Sequence, residues 1–404
     1  MAKEGSVVGG ILLIAGSCIG AGMLGLPIQT GISGFTPSLF LFFLSCLFMT
    51  TTALLLIEVN GWFPHRANLL TMAKNTVGPI GKHVCWITYL FLFYALLVAY
   101  ISGCGNLSTT ILQNSFSISL PVWVSSLFFA LLFGSVVYFG TRGVDLFNRF
   151  LMVGKIGFFV LFVLLGIQYV QPAFLTRSNP EYAISSLPLL IIAFGFHNII
   201  PSLTSYFKGN LKRVRITILG GSSLAFLIYL IWQTIVLGII PLEGENGLLW
   251  SFTHDQEASQ AIAAIIASPS VKIFSQGLGF FALLTSFLAQ TLSLVHFLSD
   301  AMKVTYKKRE NINICLLALL PPLIFSLIYP NLFFKALNFA GGICAVILFG
   351  ILPVCMVWVG RYRKNLGTST LGGKPVLALV FLSAIFILFV QLSSMTGLNL
   401  FPSP

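Results

Sequence analysis

Ala15-Gly16-Ser17-Cys18-Ile19-Gly20-Ala21-Gly22-Met23-Leu24-Gly25-Leu26-Pro27 lies inside an apolar stretch, about residues 7–31, that is long enough to cross a bilayer. Glycine is costly in a helix, and proline removes a hydrogen bond, so this stretch is expected to unwind part-way across. A second stretch, about 185–207, carries the same mark in Ala193-Phe194-Gly195-Phe196-His197-Asn198-Ile199-Ile200-Pro201. Backbone groups freed at membrane depth survive only where they line a cavity. The two breaks therefore point to one internal site.

The rest of the chain fits that setting. Of 404 residues, 57% are hydrophobic and 8% charged, and Phe occurs 38 times against 10 acidic residues. The mean hydropathy is +0.97. A soluble domain has about a quarter of its residues charged, so a soluble enzyme, a disordered chain and a disulfide scaffold are excluded. A spanning helix needs ~20 mostly apolar residues. Eleven stretches qualify, at about 7–31, 36–60, 84–110, 121–140, 150–170, 185–207, 216–240, 272–299, 313–330, 332–359 and 375–395. The longest connection, about 241–271, has room for one short amphipathic helix at Ala261–Ala267. The seven cysteines fall in or beside apolar stretches, without CxxC or zinc-like His spacing, and read as small buried hydrophobes. No cleavable signal is recognised at the N-terminus.

The net charge of +12 is topological. With the N-terminus in the cytoplasm, 19 of the 22 Lys and Arg fall on the inner side, and only Arg177, Lys272 and Lys335 fall outside. The loop after the seventh span is acidic, with Glu243, Glu245, Asp255 and Glu257. This positive-inside pattern replaces a nucleic-acid partner with the lipid bilayer, and an odd number of spans leaves the C-terminus outside.

The midpoints of the breaks are about 178 residues, or five spans, apart. An odd offset means that the second copy enters from the opposite side. Paired interrupted helices in an inverted repeat point to the substrate site of a secondary transporter. The chain then reads as one transport domain, 1–404, with repeats at about 7–170 and 185–359 and an extra span at 375–395. Amides at Ser17, Cys18, Ile19, Gly20, Ala21 and Gly22, with the Ser17 hydroxyl, can hold a carboxylate at a positive helix end. Carbonyls at Leu13–Gly16 and Ala193–Gly195 can hold an ammonium group. Together they suit a zwitterionic α-amino acid.

The segment Gly9 to Leu24 resembles the opening of the bacterial aromatic amino acid permeases, a group within the amino acid–polyamine–organocation superfamily. Phe194-Gly195-Phe196-His197 with Pro201-Ser202, Ala99-Tyr100-Ile101-Ser102-Gly103 and Thr285-Ser286-Phe287-Leu288 resemble spans 6, 3 and 8 of that group. The chain departs from it at Cys18, where many relatives carry a hydroxyl residue, and at Asn198-Ile199-Ile200, where smaller residues are commoner. The resemblance implies an all-α polytopic fold of eleven spans, with a five-plus-five inverted repeat of the leucine-transporter type. It also implies a bacterial inner-membrane location and proton-driven uptake of an aromatic amino acid, tyrosine ahead of tryptophan. Sodium coupling, or a small or hydroxylated amino acid, is the alternative within the same fold. No cofactor, metal or obligate protein partner is called for.

In sodium-coupled proteins of that architecture an ion sits between spans 1, 5 and 8. The resemblance implies that the Lys155 ammonium takes this place, with Thr285 and Ser286 beside it. The plainer readings are a lysine that snorkels to the interface and hydroxyls that bond their own helix. His197, in the second break, is a candidate proton carrier or donor to a tyrosine hydroxyl, or a neutral ring that satisfies freed backbone. Tyr94 and Tyr100 become candidates because span 3 passes the breaks in the implied fold. Phe194 and Phe196 can sandwich or gate an aromatic substrate. His296 reads as structural, and Glu58 as an interfacial acid or a partner for inner basic residues. An intramembrane enzyme would need paired aspartates, H-E-x-x-H or a positioned Ser–His dyad. A channel would need a filter motif or a charge ring. Neither set is present.

Overall fold

The computed structural model describes residues 5–63, 67–302, 312–368, 372–398 and 400–402. Six of the nineteen inner basic residues (Lys3, Arg66, Lys303, Lys307, Lys308 and Arg309), and the side chain of Arg142, lie outside the described residues. Within them the chain is helical and forms no strand, only an isolated bridge between Gly34 and Ser178.

The first break is narrower than expected. Helix α1 (Val7–Cys18) and α2 (Ala21–Gly31) meet at an angle of 56° across Ile19 and Gly20 alone. Gly20 is extended, with φ −136° and ψ −152°, and Pro27 is accommodated inside α2. Then follow α3 (Phe35–Gly61), α4 (Leu69–Thr76), α5 (Pro79–Phe116), α6 (Val122–Tyr138), α7 (Gly140–Gly166) and the single turn α8 (Pro172–Leu175). The second break separates α9 (Leu187–Ala193) from α10 (Ile200–Tyr206), with a 3-10 turn at His197–Ile199 between them. Pro188 and Pro201 sit in the first turns of these two helices, where a missing N–H costs nothing.

The second half continues with α11 (Leu211–Ile239), α12 (Leu248–Thr253), α13 (Ala258–Ile265), α14 (Pro269–Ala301), α15 (Ile312–Ile328), α16 (Phe333–Phe339), α17 (Leu352–Tyr362) and α18 (Lys374–Thr396). Among the described residues, eight helical stretches are long and apolar enough to cross a membrane, or nine when α1 and α2 are taken as one bent span. The other two expected spans are α6 and α15, each of 17 residues, or about 26 Å at ~1.5 Å per residue. The tenth expected span is not an ordinary α-helix: a π stretch at Ala340–Ile351 joins α16 to α17. Its Gly341 backs against α9 so closely that a Cβ would stand 1.8 Å from the Pro188 carbonyl oxygen.

Large apolar side chains cover the outside, among them Phe40, Phe43, Phe150, Val153, Leu379 and Leu382. That is the surface a lipid-facing protein needs. Inside, α11 packs on α1 and α3, and α14 packs on α5 and α7. The expected amphipathic helix at Ala261–Ala267 is instead α13, starting at Ala258 and buried along Ala258–Ala263. The segment holding it is tied down by acids. Asp255 accepts from the amides of Phe333 (2.6 Å) and Phe334 (3.0 Å), capping α16 from outside its own chain segment. Glu257 caps α13, accepting from Ser259 N (2.7 Å) and Gln260 N (3.1 Å), and burial pushes its carboxyl up to about 7. Glu58 of α3 pairs with Arg361 of α17. Nε and Nη2 each lie 2.7 Å from a carboxylate oxygen, and Nη1 donates to Gly372 O at 2.5 Å.

Candidate functional site

The two breaks open on one cavity of about 480 Å³, a size in the range of small-molecule sites. Its wall includes every residue from Gly16 to Gly22, together with Tyr100, Gly195, Lys155, Thr285 and Ser286. Twelve of the sixteen residues expected at the site thus share one cavity. The other four lie elsewhere, for identifiable reasons. Tyr94 donates to Leu317 O at 3.0 Å, toward α15. It is six residues from Tyr100, a rotation of about 240° around the helix, so both tyrosines cannot face the same way. Phe194 turns back against Phe42 and Tyr229, with ring centroids 6.3 and 5.1 Å away. Phe196 is buried against the ring of His197. His197 itself lies 1% exposed, stacked on Phe349, with Nε2 2.9 Å from Thr52 Oγ1 and no partner for Nδ1 among the described residues. It ties the second break to α3 and stands behind the cavity wall.

Backbone geometry also redistributes the expected donors and acceptors. Helix α1 runs on to Cys18, so the amides of Ser17 and Cys18 belong to it. Ile19 N donates to Ala15 O at 3.0 Å and Gly20 N to Cys18 O at 2.8 Å. Ala21 N donates to Ser286 Oγ at 3.3 Å. The positive helix end is therefore the first turn of α2, at Ala21 and Gly22. The terminal carbonyls of α1 are those of its last turn, Ala15–Cys18, and not Leu13–Gly16.

Lys155 is 3% exposed, and its Nζ donates to Ile19 O at 2.6 Å. Its ammonium thus sits at the negative end of α1, where a cation is favoured, and does not snorkel. Among the described residues, no carboxylate lines this cavity. Ser286 lines the same cavity, donating to Ala282 O at 2.9 Å while accepting from Ala21 N. Thr285 Oγ1 also bonds Ala282 O, at 3.1 Å. Both hydroxyl protons are engaged by their own helix.

Asn148, Met152, Gln290 and Ser293 escaped sequence reasoning. Asn148 and Met152 precede the expected Lys155 in an i, i+4, i+7 spacing on α7, and Gln290 and Ser293 follow the expected Ser286 in the same spacing on α14. That spacing puts each trio on one helix face, a signal the sequence carried. Asn198 adds a third side-chain amide to the wall, after Asn148 and Gln290. Behind the wall, three side chains of α11 grip the broken first span. Tyr229 Oη lies 2.5 Å from Cys18 O and 2.8 Å from Ala193 O. Trp232 Nε1 donates to Met23 O at 2.8 Å, and Gln233 Nε2 to Thr30 Oγ1 at 2.8 Å.

The sequence that builds this cavity matches a known family along almost its full length. The sequence profile of the tryptophan/tyrosine permease family matches residues 3–391. The chain belongs to that family. Its relatives include the tyrosine-specific transport system 1 of Haemophilus influenzae, 32% identical over 397 residues, which are 96% of this chain and 97% of the relative. The tryptophan-specific transport protein of Pseudomonas aeruginosa is 30% identical, over 95% of this chain and 93% of its own. The low affinity tryptophan permease of Escherichia coli K12 is 26% identical, over 96% and 95%. The family is one of multi-pass membrane permeases for aromatic amino acids, not of enzymes.

Proposed function

We propose that this permease carries tyrosine into a bacterial cell together with a proton, by alternating access around the cavity between its broken helices. In this reading the chain is one transport domain of eleven spans in the bacterial inner membrane. Its inverted repeats lie at about 7–170 and 185–359, with an extra span at 375–395, an inner N-terminus and an outer C-terminus. The substrate carboxylate meets the first turn of α2 at Ala21 and Gly22, and the ammonium meets the carbonyls that end α1 and α9. The ring extends along Tyr100 and Leu96 toward Asn198 and Gln290, amides suited to a phenolic hydroxyl.

One observation carries the proton reading: the buried Lys155 ammonium on Ile19 O, in a cavity that Ser286 also lines. A cation already bonded there takes the role of an exchangeable ion, and its proton is the part that can leave.

Uptake into proteoliposomes tests the proposal. Radiolabelled tyrosine is offered with an inward proton gradient, an inward sodium gradient or neither, and with unlabelled tryptophan, phenylalanine and serine as competitors. Accumulation is expected with protons alone, inhibited by the aromatic competitors and not by serine. A requirement for sodium would move coupling to Thr285 and Ser286, and serine transport would refute the aromatic assignment.

Gly20 gives a second test. A Cβ there would lie 2.5 Å from Ser286 Oγ, so Gly20→Ala turns that hydroxyl away from Ala21 N. The added methyl and the displaced hydroxyl crowd the wall beside the Ala21 and Gly22 amides, and tyrosine affinity in a direct binding assay is expected to fall roughly tenfold, about 1.4 kcal/mol.

A further inference from the structure

The cavity wall does not include Tyr229, yet its one hydroxyl reaches both breaks. Its ring is fully buried in α11. It sits edge-on to Phe42 and Phe194, at centroid distances of 6.3 and 5.1 Å, and those two rings also meet edge to face at 6.3 Å. This seat aims one hydroxyl at two carbonyls: Cys18 O, on the last residue of α1, and Ala193 O, on the last residue of α9. Both residues line the cavity.

Two helix C-termini therefore converge on one point, each bringing roughly half a negative charge. Left alone they would repel. A phenol has one hydrogen to give, so it can satisfy one of the two oxygens fully, or both in part. Cys18 O has a second donor in Gly20 N, at 2.8 Å. The pair stays short of positive charge on its cavity side, which is where a primary ammonium with three donors fits.

We propose that Tyr229 is a positioning residue for the substrate ammonium. Its hydroxyl holds the Cys18 and Ala193 carbonyls side by side, at the separation that lets one ammonium group bridge them. This rests on reading the cavity as an amino acid site, and it adds the group that sets amine recognition from behind the wall.

The test compares tyrosine with its des-amino analogue, 3-(4-hydroxyphenyl)propanoate, by competition binding to purified protein. Tyr229→Phe keeps the ring in its seat and removes only the donor. The expected result is a tyrosine Kd raised about tenfold with the analogue's Kd unchanged, so that preference for the amine falls by that factor. Equal weakening of both ligands would reduce Tyr229 to general packing, and no change in either would overturn the proposal. Trp232→Phe is the control: it deletes a donor from the same helix to Met23 O, away from the cavity wall. It should leave the ratio intact, and an equal shift in it would also overturn the proposal. If Tyr229→Phe does not fold, Phe42→Leu replaces it. This variant loosens the hydroxyl's seat and should lower the ratio two- to threefold, and an unchanged ratio in folded protein would refute the role. Failure of the wild type to bind tyrosine would sink the substrate reading instead.

Discussion

Replacing Lys155 with alanine abolishes proton-driven accumulation of tyrosine and leaves binding measurable. A proton gradient of one pH unit is worth about 1.4 kcal/mol, which for one proton per substrate supports roughly tenfold accumulation. In Lys155→Ala the internal-to-external ratio in proteoliposomes should fall to about one, with labelled tyrosine still exchanging across the membrane. The reason lies in the geometry: Nζ is bonded to Ile19 O, at the break itself, so its proton can be lost or kept according to which side the break faces. Lys155→Arg separates charge from proton release. A guanidinium preserves a donor for the Ile19 carbonyl but does not deprotonate in proteins, so binding is retained and accumulation is still lost. Undiminished accumulation in the alanine variant would remove the lysine from the coupling step.

Arg361→Ala should prevent the protein from folding stably. The side chains of Arg361 and Glu58 are 2% and 0% exposed, and they meet through two bonds of 2.7 Å. Removing one partner of a buried pair costs about 3–5 kcal/mol, because the buried charge that remains loses the two bonds that held it. That is a large part of the ~5–15 kcal/mol by which a typical domain is stable. Thermal unfolding in detergent, followed by the monodisperse fraction after heating, reads the loss. The double variant Glu58→Leu with Arg361→Leu should recover most of it, since apolar residues of similar volume commonly replace buried ion pairs without penalty. A single variant as stable as the wild type would show that the pair is held open to water.

Both broken spans were legible because glycine and proline act locally, and a local cost is written in the residues that incur it. What failed to show was direction. Phe194, Phe196 and His197 lie in the second break, but which side of an unwound segment faces the cavity is set by its neighbours, here Phe42, Thr52 and Phe349. The π stretch at Ala340–Ile351 is as apolar as an α-helix, and only its close approach to α9 at Gly341 marks it. Lys155 was conspicuous as a charge among apolar residues. Tyr229 was not, being one of eleven tyrosines in a chain rich in aromatic residues.

The ties that shape the site end mostly on main-chain oxygens: Ile19 O for Lys155, Cys18 O and Ala193 O for Tyr229, Met23 O for Trp232. A substitution can move such an acceptor but cannot delete it. The side chains at positions 18 and 19 are thus free to drift over generations without breaking the frame that holds them, and each change alters the contour of the cavity wall. Selectivity in such a scaffold can evolve in small steps, because the grip on the backbone and the choice of cargo are inherited through different atoms.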